Sequence, residues 1–283
     1  LAAACGQQTV RIHHRMPRKL AKLALIITLS KALTRHPDKP IPNFRYFIYI
    51  CIHFGIPALL IAAQPDIGTL MVFCVIFVAL LFVSGFELRW MFLLGGIVAA
   101  GLTPIIFYLA STNNFRWLRL VAFMNPESDP TGSSYQIVNS KITIGSGGLY
   151  GKGAWSEGTL THLNYVPENH TDFIFSVVGE TLGFVGALVL LTLYAFVIYR
   201  MLLLAFHTND KFGQLIIVGV MAMLVFHVYE NIGMCIGVMP ITGIPLPFIS
   251  YGGTNLVVNM AGVGLVLNVT QHKSSMDLKN KVE

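Results

Sequence analysis

Long apolar runs separated by short polar breaks dominate the chain, and they predict helices that cross a bilayer. About 20 mostly apolar residues make one crossing. Candidate spans lie at Leu20–Leu33, Phe44–Ala63, Ile67–Phe86, Trp90–Leu109, Asp172–Tyr199, Phe212–Val238 and Gly253–Thr270. Lys22 and Lys31 weaken the first, and Glu180 is the one charge inside the fifth. The runs are continuous rather than alternating, so helices and not barrel strands are expected. Between the fourth and fifth spans lies a long polar stretch, Ala110–Thr171. The pattern therefore predicts an all-α integral membrane protein, a polytopic helical bundle with one large loop. Its segments are an N-terminal piece (1–19), four spans (20–109), the loop (110–171), three spans (172–270) and a tail (271–283).

The stretch from Asn231 to His272 contains no Asp, Glu, Lys or Arg and is too long for one crossing. Its middle carries Pro240, Pro245 and Pro247, which rule out a continuous helix. Irregular backbone at membrane depth survives only where protein or a wet cavity covers it. Residues 239–252 are therefore read as a re-entrant or mouth-capping loop.

Charge then sets orientation. Lys31, Arg35, Lys39 and Arg45 follow the first span, Arg89 separates the third and fourth, and Arg200 and Lys211 flank the next turn. With Lys273, Lys279 and Lys281 in the tail, these alternate loops fall on the cytoplasmic side. The 110–171 loop is then outside. So is the N-terminal segment, although Arg11, Arg15, Arg18 and Lys19 oppose that placement. The chain is 54% hydrophobic and 11% charged, against about 25% charged residues in an ordinary soluble domain. Its net charge of +6 forms no dense basic patch, which argues against nucleic acid as a partner. The cysteines show no CxxC spacing and read as free thiols, three of them in apolar runs.

Groups suited to chemistry gather in and beside the large loop. Asp172 opens the fifth span, where a carboxylate gains from the positive end of the helix dipole; a simple helix cap is the plain alternative. Glu168 and His170 lie just upstream and could tune its protonation, or be ordinary loop residues. Asp172 with Glu168 could also hold a hard divalent ion, Mg2+ or Mn2+, through oxygen. No metal-ligand spacing and no certain cofactor appear. Gly145-Ser146-Gly147-Gly148 with Lys152 offers backbone amides and a point charge to an anion, or else a flexible loop with a solvated lysine. Arg116-Trp117-Leu118-Arg119 reads as an interfacial belt or a clamp on lipid phosphates. Asp66 in Gln64-Pro65-Asp66-Ile67-Gly68-Thr69 reads first as a cap of the third span. Glu180, eight residues beyond Asp172, should lie near the same face of one helix; an ionisable group inside a span is a functional candidate. A carboxylate at a span mouth beside a Gly-rich basic stretch suits an enzyme acting on a lipid-linked phosphate.

The Gln64–Thr69 motif, Tyr135-Gln136-Ile137, Ile144–Gly153, Pro167-Glu168-Asn169-His170-Thr171-Asp172-Phe173-Ile174-Phe175 and Pro245-Leu246-Pro247-Phe248-Ile249-Ser250-Tyr251-Gly252-Gly253 together resemble the SEDS family of shape, elongation, division and sporulation proteins. The resemblance runs from about Leu20 to the C-terminus. Gly151-Lys152-Gly153, Gly158-Thr159 and His162-Leu163 look more like the RodA branch than the FtsW branch. It implies an inverting peptidoglycan glycosyltransferase in the bacterial cytoplasmic membrane. That enzyme polymerises lipid II, an undecaprenyl-pyrophosphate-linked disaccharide peptide, during cell elongation, beside a class B penicillin-binding protein. Asp172 matches the family's essential aspartate and would be the base. Lys152, Arg116, Arg119, Gln136, Glu168, His170 and Glu180 are the candidates for substrate binding.

Thr9–Leu20 departs from the family pattern, with no Trp and with Lys19 where the family has Glu, though Lys22 persists. Thr181 stands where a second Glu is common. The family has ten spans and this chain starts at Leu, so three further spans are expected upstream. The 283-residue chain alone is expected to be inactive. A lipid II flippase, or a remnant that only occupies a partner's surface, are the rival readings.

Overall fold

The computed structural model describes residues 2–35, 44–64, 66–87, 89–93, 95–96, 133–153, 159–161 and 170–279. The helices with described bounds are α1 (Ala2–Leu33), α2 (Phe44–Ala62), α3 (Ile67–Ser84), α4 (Ser133–Ser146), α5 (Ile174–His207), α6 (Lys211–Ile236) and α7 (Gly253–Lys279). No strand occurs among the described residues. Among the described residues five helices, α2, α3, α5, α6 and α7, are long and apolar enough to cross a membrane. The protein is an all-α, multi-pass membrane protein.

Residues 2–19 and the weak first span are continuous in one helix, α1. The tail expected from residue 271 continues α7 to Lys279. The large loop contains α4, whose polar residues Ser134, Asn139, Ser140 and Thr143 are buried. The expected span at Trp90–Leu109 lies mostly outside the described residues. Of the thiols, Cys235 is buried, Cys51 half-buried and Cys74 exposed, so α3 turns one cysteine outward.

The chain divides into two compact units. The first comprises residues 1–87, 197–226 and 252–283. Leu25, Ile61 and Phe73 form a buried cluster there, backed by Ala21, Phe54 and Leu70. Phe54 stacks on Phe77 with ring centroids 4.1 Å apart. Helices in lipid associate through van der Waals contact rather than water release, so small residues at crossings matter. Gly219 of α6 is such a residue: a side-chain carbon there would lie 2.7 Å from Ile26 of α1. Asp66 caps α3 as expected, accepting from the Thr69 amide at 3.0 Å and the Thr69 hydroxyl at 2.9 Å. It also pairs with Arg18 at 3.5 Å.

The Lys and Arg distribution makes an orientation prediction. Tyr150, 82% exposed after α4, should face outside and the end of α7 should face the cytoplasm. In intact cells, an impermeant thiol reagent is expected to modify Tyr150→Cys and not Ser274→Cys. The opposite labelling would invert the topology.

Candidate functional site

The second unit comprises residues 88–196 and 227–251 and holds the described part of the motif-bearing loop. Helix α6 ends at Ile236, and the three prolines that follow prevent another helix. The backbone of 239–252 must therefore find partners elsewhere. It finds them on the turn that leads into α5. The Tyr251 amide donates to the His170 carbonyl at 3.0 Å. The Ser250 hydroxyl donates to the Thr171 carbonyl at 2.7 Å and accepts from the Leu246 amide at 2.7 Å. The Asn231 side-chain amide donates to the carbonyls of Asp172 and Ile244, both at 2.8 Å. Three consecutive residues, His170, Thr171 and Asp172, are thus moored by their carbonyls.

That mooring holds the main chain from which the Asp172 side chain projects. Its carboxylate is half-buried and faces Gly243, where a side-chain carbon would lie 3.1 Å from Oδ2. Gly243 is exposed, with φ +72°. Beneath the turn, Phe173 and Phe175 pack with Ile137 of α4 and with Met234, Cys235 and Ile241. The Ser140 hydroxyl adds a bond to the Cys235 carbonyl at 2.8 Å. Helix α4 is thereby tied to the Asp172 turn, with half-buried Gln136 beside Ile137. His170 is exposed, its ring edge-on to Tyr251 at 6.4 Å.

Glu180 builds a different structure. Helix α5 breaks at Gly183, whose φ of 67° and ψ of −164° are non-helical. In an unbroken helix the carbonyls of 180 and 181 would accept from the amides of 184 and 185. Here the glycine-rich segment takes those places. Lys152 and Gly153 amides donate to the carbonyls of Glu180 and Thr181 at 2.9 and 3.0 Å. Phe184 and Val185 amides donate to the carbonyls of Gly148 and Leu149 at 2.9 and 3.1 Å. The segment plugs the break and satisfies the groups it frees, as a low-dielectric setting demands. Fully buried Glu180 then accepts from Lys152 Nζ at 3.1 Å, the Leu160 amide at 2.8 Å and the Thr161 amide at 2.9 Å. The hydroxyls of Ser146 and Thr161 also donate to it.

The glycines are therefore not an open anion cradle. The amides of Gly147, Gly148, Gly151, Lys152 and Gly153 all donate to protein carbonyls. Glycine is needed for close approach of backbones: a side-chain carbon would lie 2.2 Å from the Thr181 carbonyl at Gly151 and 2.3 Å from the Gly151 amide at Gly183. Gly151→Ala should prevent stable accumulation in the membrane. Gly148→Ala, at φ +57° with open space around it, should cost only about 1–2 kcal/mol. Membrane level and monodispersity after detergent extraction measure both. Equal, wild-type behaviour would refute the plug.

The structure places the sequence-derived candidates unevenly. Asp172 and His170 share the moored turn, whereas Lys152 and Glu180 belong to the helix plug. Asp172 and Glu180 do not lie on one helix, because α5 begins at Ile174. Lys152 keeps a side chain 35% exposed while pairing with Glu180. Arg116, Arg119 and Glu168 lie outside the described residues. Among the described residues no group of three His, Cys, Asp or Glu converges as metal ligands. Sequence reasoning missed Asn231, Thr242, Gly243 and Ser250. The signal available was their position in the charge-free Pro-rich stretch, where few side chains can carry hydrogen bonds.

Comparison with known proteins bears on this geometry. The family model for FtsW, RodA and SpoVE, described as cell cycle protein, matches residues 10–275. Peptidoglycan glycosyltransferase MrdB of Escherichia coli K12 is 40% identical over 260 residues, which are 92% of this chain and 69% of that protein. A probable peptidoglycan glycosyltransferase FtsW of Geobacter sp. M18 is 36% identical over 257 residues, 90% of this chain and 68% of that protein. A solved chain from work on structural coordination of polymerization and crosslinking by a peptidoglycan synthase complex superposes with a TM-score of 0.71. It is 32% identical, with 90% of this chain and 69% of that chain covered.

Proposed function

The chain belongs to the FtsW, RodA and SpoVE family, and from that premise we propose that it is a peptidoglycan glycosyltransferase that polymerises lipid II at the outer face of the bacterial cytoplasmic membrane. The observation that carries the reading is the Asp172 carboxylate. It is half-buried at the mouth of α5, held by its own main chain, and faced by a residue with no side chain.

Asp172 is the general base. One of its carboxylate oxygens takes the proton of the acceptor sugar hydroxyl as that oxygen attacks the donor's anomeric carbon. The bond from that carbon to the pyrophosphate breaks on the opposite face, a glycosidic bond forms with inversion, and undecaprenyl pyrophosphate leaves. Bare, exposed Gly243 leaves room for a sugar hydroxyl beside the base. Charge growing on the pyrophosphate needs cations. Arg116, Arg119 and the partly exposed Lys152 are the candidates, and Gln136, Glu168 and His170 are further candidates for substrate binding. Higher identity to MrdB than to the FtsW relative, together with Gly151-Lys152-Gly153, supports the RodA branch and a role in elongation. The structural kinship to a chain of a peptidoglycan synthase complex supports a class B penicillin-binding protein as partner.

The test is incubation of the full-length protein and that partner with labelled lipid II. Glycan strands sensitive to a muramidase are expected. Their absence, with the protein folded and the partner bound, would sink the assignment.

A further inference from the structure

Adjacent residues near the end of α6 grip the Pro-rich loop on both sides of Gly243. The Glu230 carboxylate accepts from the Thr242 hydroxyl at 2.9 Å. The Asn231 amide donates to the Ile244 carbonyl and, from the same nitrogen, to the Asp172 carbonyl, both at 2.8 Å. Loop residues 242 and 244 are thus held from 230 and 231. The residue between them abuts the Asp172 carboxylate. Both gripping side chains are fully buried.

Side-chain chemistry limits what can do this. Two carbonyls cannot bond to each other, so joining them takes a donor with two hydrogens. A primary amide supplies both from one nitrogen, whereas a carboxylate supplies none and a hydroxyl one. Asn231 Oδ1 accepts from no described residue, so the two donated bonds are the hydrogen bonds this side chain makes among them.

We propose that Asn231, seconded by Glu230 through Thr242, is a positioning residue that sets the spacing between the Asp172 carboxylate and Gly243, the gap into which the acceptor hydroxyl enters. The proposal rests on the glycosyltransferase reading given above. Neither residue need touch substrate; they act through the two main-chain segments they join. A reacting group must sit within about 0.5 Å of its working position, and misplacement by an ångström can cost roughly 100-fold in rate. The consequence is a defect in turnover rather than in substrate capture.

The experiment compares wild type, Asp172→Asn, Asn231→Leu, Thr242→Val and Thr242→Ser, each reconstituted with the partner and assayed for lipid II polymerisation. Hydrogen exchange across residues 239–252 is followed in the same preparations. Asn231→Leu should lower kcat by about 10- to 100-fold, leave KM within about twofold, and speed exchange in the loop. Thr242→Val should show the same pattern more weakly, and Thr242→Ser, which keeps the hydroxyl, should restore wild-type behaviour. If Asn231→Leu fails to fold, the Thr242 pair decides: equal kcat for Val and Ser overturns the proposal. Normal kcat for Asn231→Leu beside an inactive Asp172→Asn also overturns it. If Asp172→Asn still polymerises, the general-base reading has failed instead. Exchange then decides the clamp alone: unchanged loop exchange in Asn231→Leu overturns it, and faster exchange upholds it.

Discussion

Asp172→Asn should reduce lipid II polymerisation by at least about 100-fold, the lower range for loss of general-base assistance, while the protein still inserts and binds its partner. The geometry separates the two effects. The three described bonds that moor residues 170–172, from Tyr251, Ser250 and Asn231, all end on main-chain carbonyls, which the substitution leaves in place. Asparagine also keeps the size of aspartate. What disappears is the group that accepts a proton. Asp172→Glu should fail too, for a steric reason. Oδ2 already lies 3.1 Å from where a side-chain carbon on Gly243 would be, so a longer arm must fill the acceptor's gap or swing out of it. The measurement is polymer yield from labelled lipid II, with membrane level and partner capture as controls. A lipid II flippase needs no base, and Asp172→Asn would spare transport. Near-normal polymer from the Asn variant would remove Asp172 from the chemistry.

Much of this architecture is readable from the chain because membrane helices are written in long, uninterrupted apolar runs. Helices α2, α3, α5, α6 and α7 follow from that signal alone. The Asp66 cap follows from a short acceptor placed before an apolar run. The irregular 239–252 loop follows from three prolines. Other features resist such a reading for physical reasons. Helix α4 buries Ser134, Asn139, Ser140 and Thr143 against protein, so its inward face looks like loop. The glycine run is ambiguous in itself, since absent side chains serve an anion and a neighbouring backbone equally well. Only the break at Gly183 decides, and nothing local to residues 147–153 announces it. The partners of Asp172 were hidden for a similar reason. Asn231 lies 59 positions away from it, and no spacing rule connects them.

Glu180→Ala is expected to lose about 3–5 kcal/mol of stability, the range for removing one partner of a buried ion pair. The lower end is the better expectation because Lys152 is partly solvated. The loss has two sources. The ion pair with Lys152 is lost, and the Leu160 and Thr161 amides lose the carboxylate oxygens they donate to. Once residues 159–161 loosen, the glycine segment that fills the break in α5 loses its side-chain anchor. Glu180→Gln should lose less, about 1–3 kcal/mol, since one oxygen remains to accept but the new amide hydrogens face existing donors. Lys152→Met provides the contrast. Glu180 would keep its other donors but lose the cation beside a fully buried carboxylate, so stability should fall by about 1–3 kcal/mol. If Lys152 also contacts the pyrophosphate, polymerisation should fall further than stability does, by about 1–3 kcal/mol in transition-state terms. Thermal unfolding in detergent and polymerisation kinetics, run on all three variants, separate the roles. Wild-type unfolding of Glu180→Ala would show that the plug does not depend on this carboxylate and would return Glu180 to the substrate site.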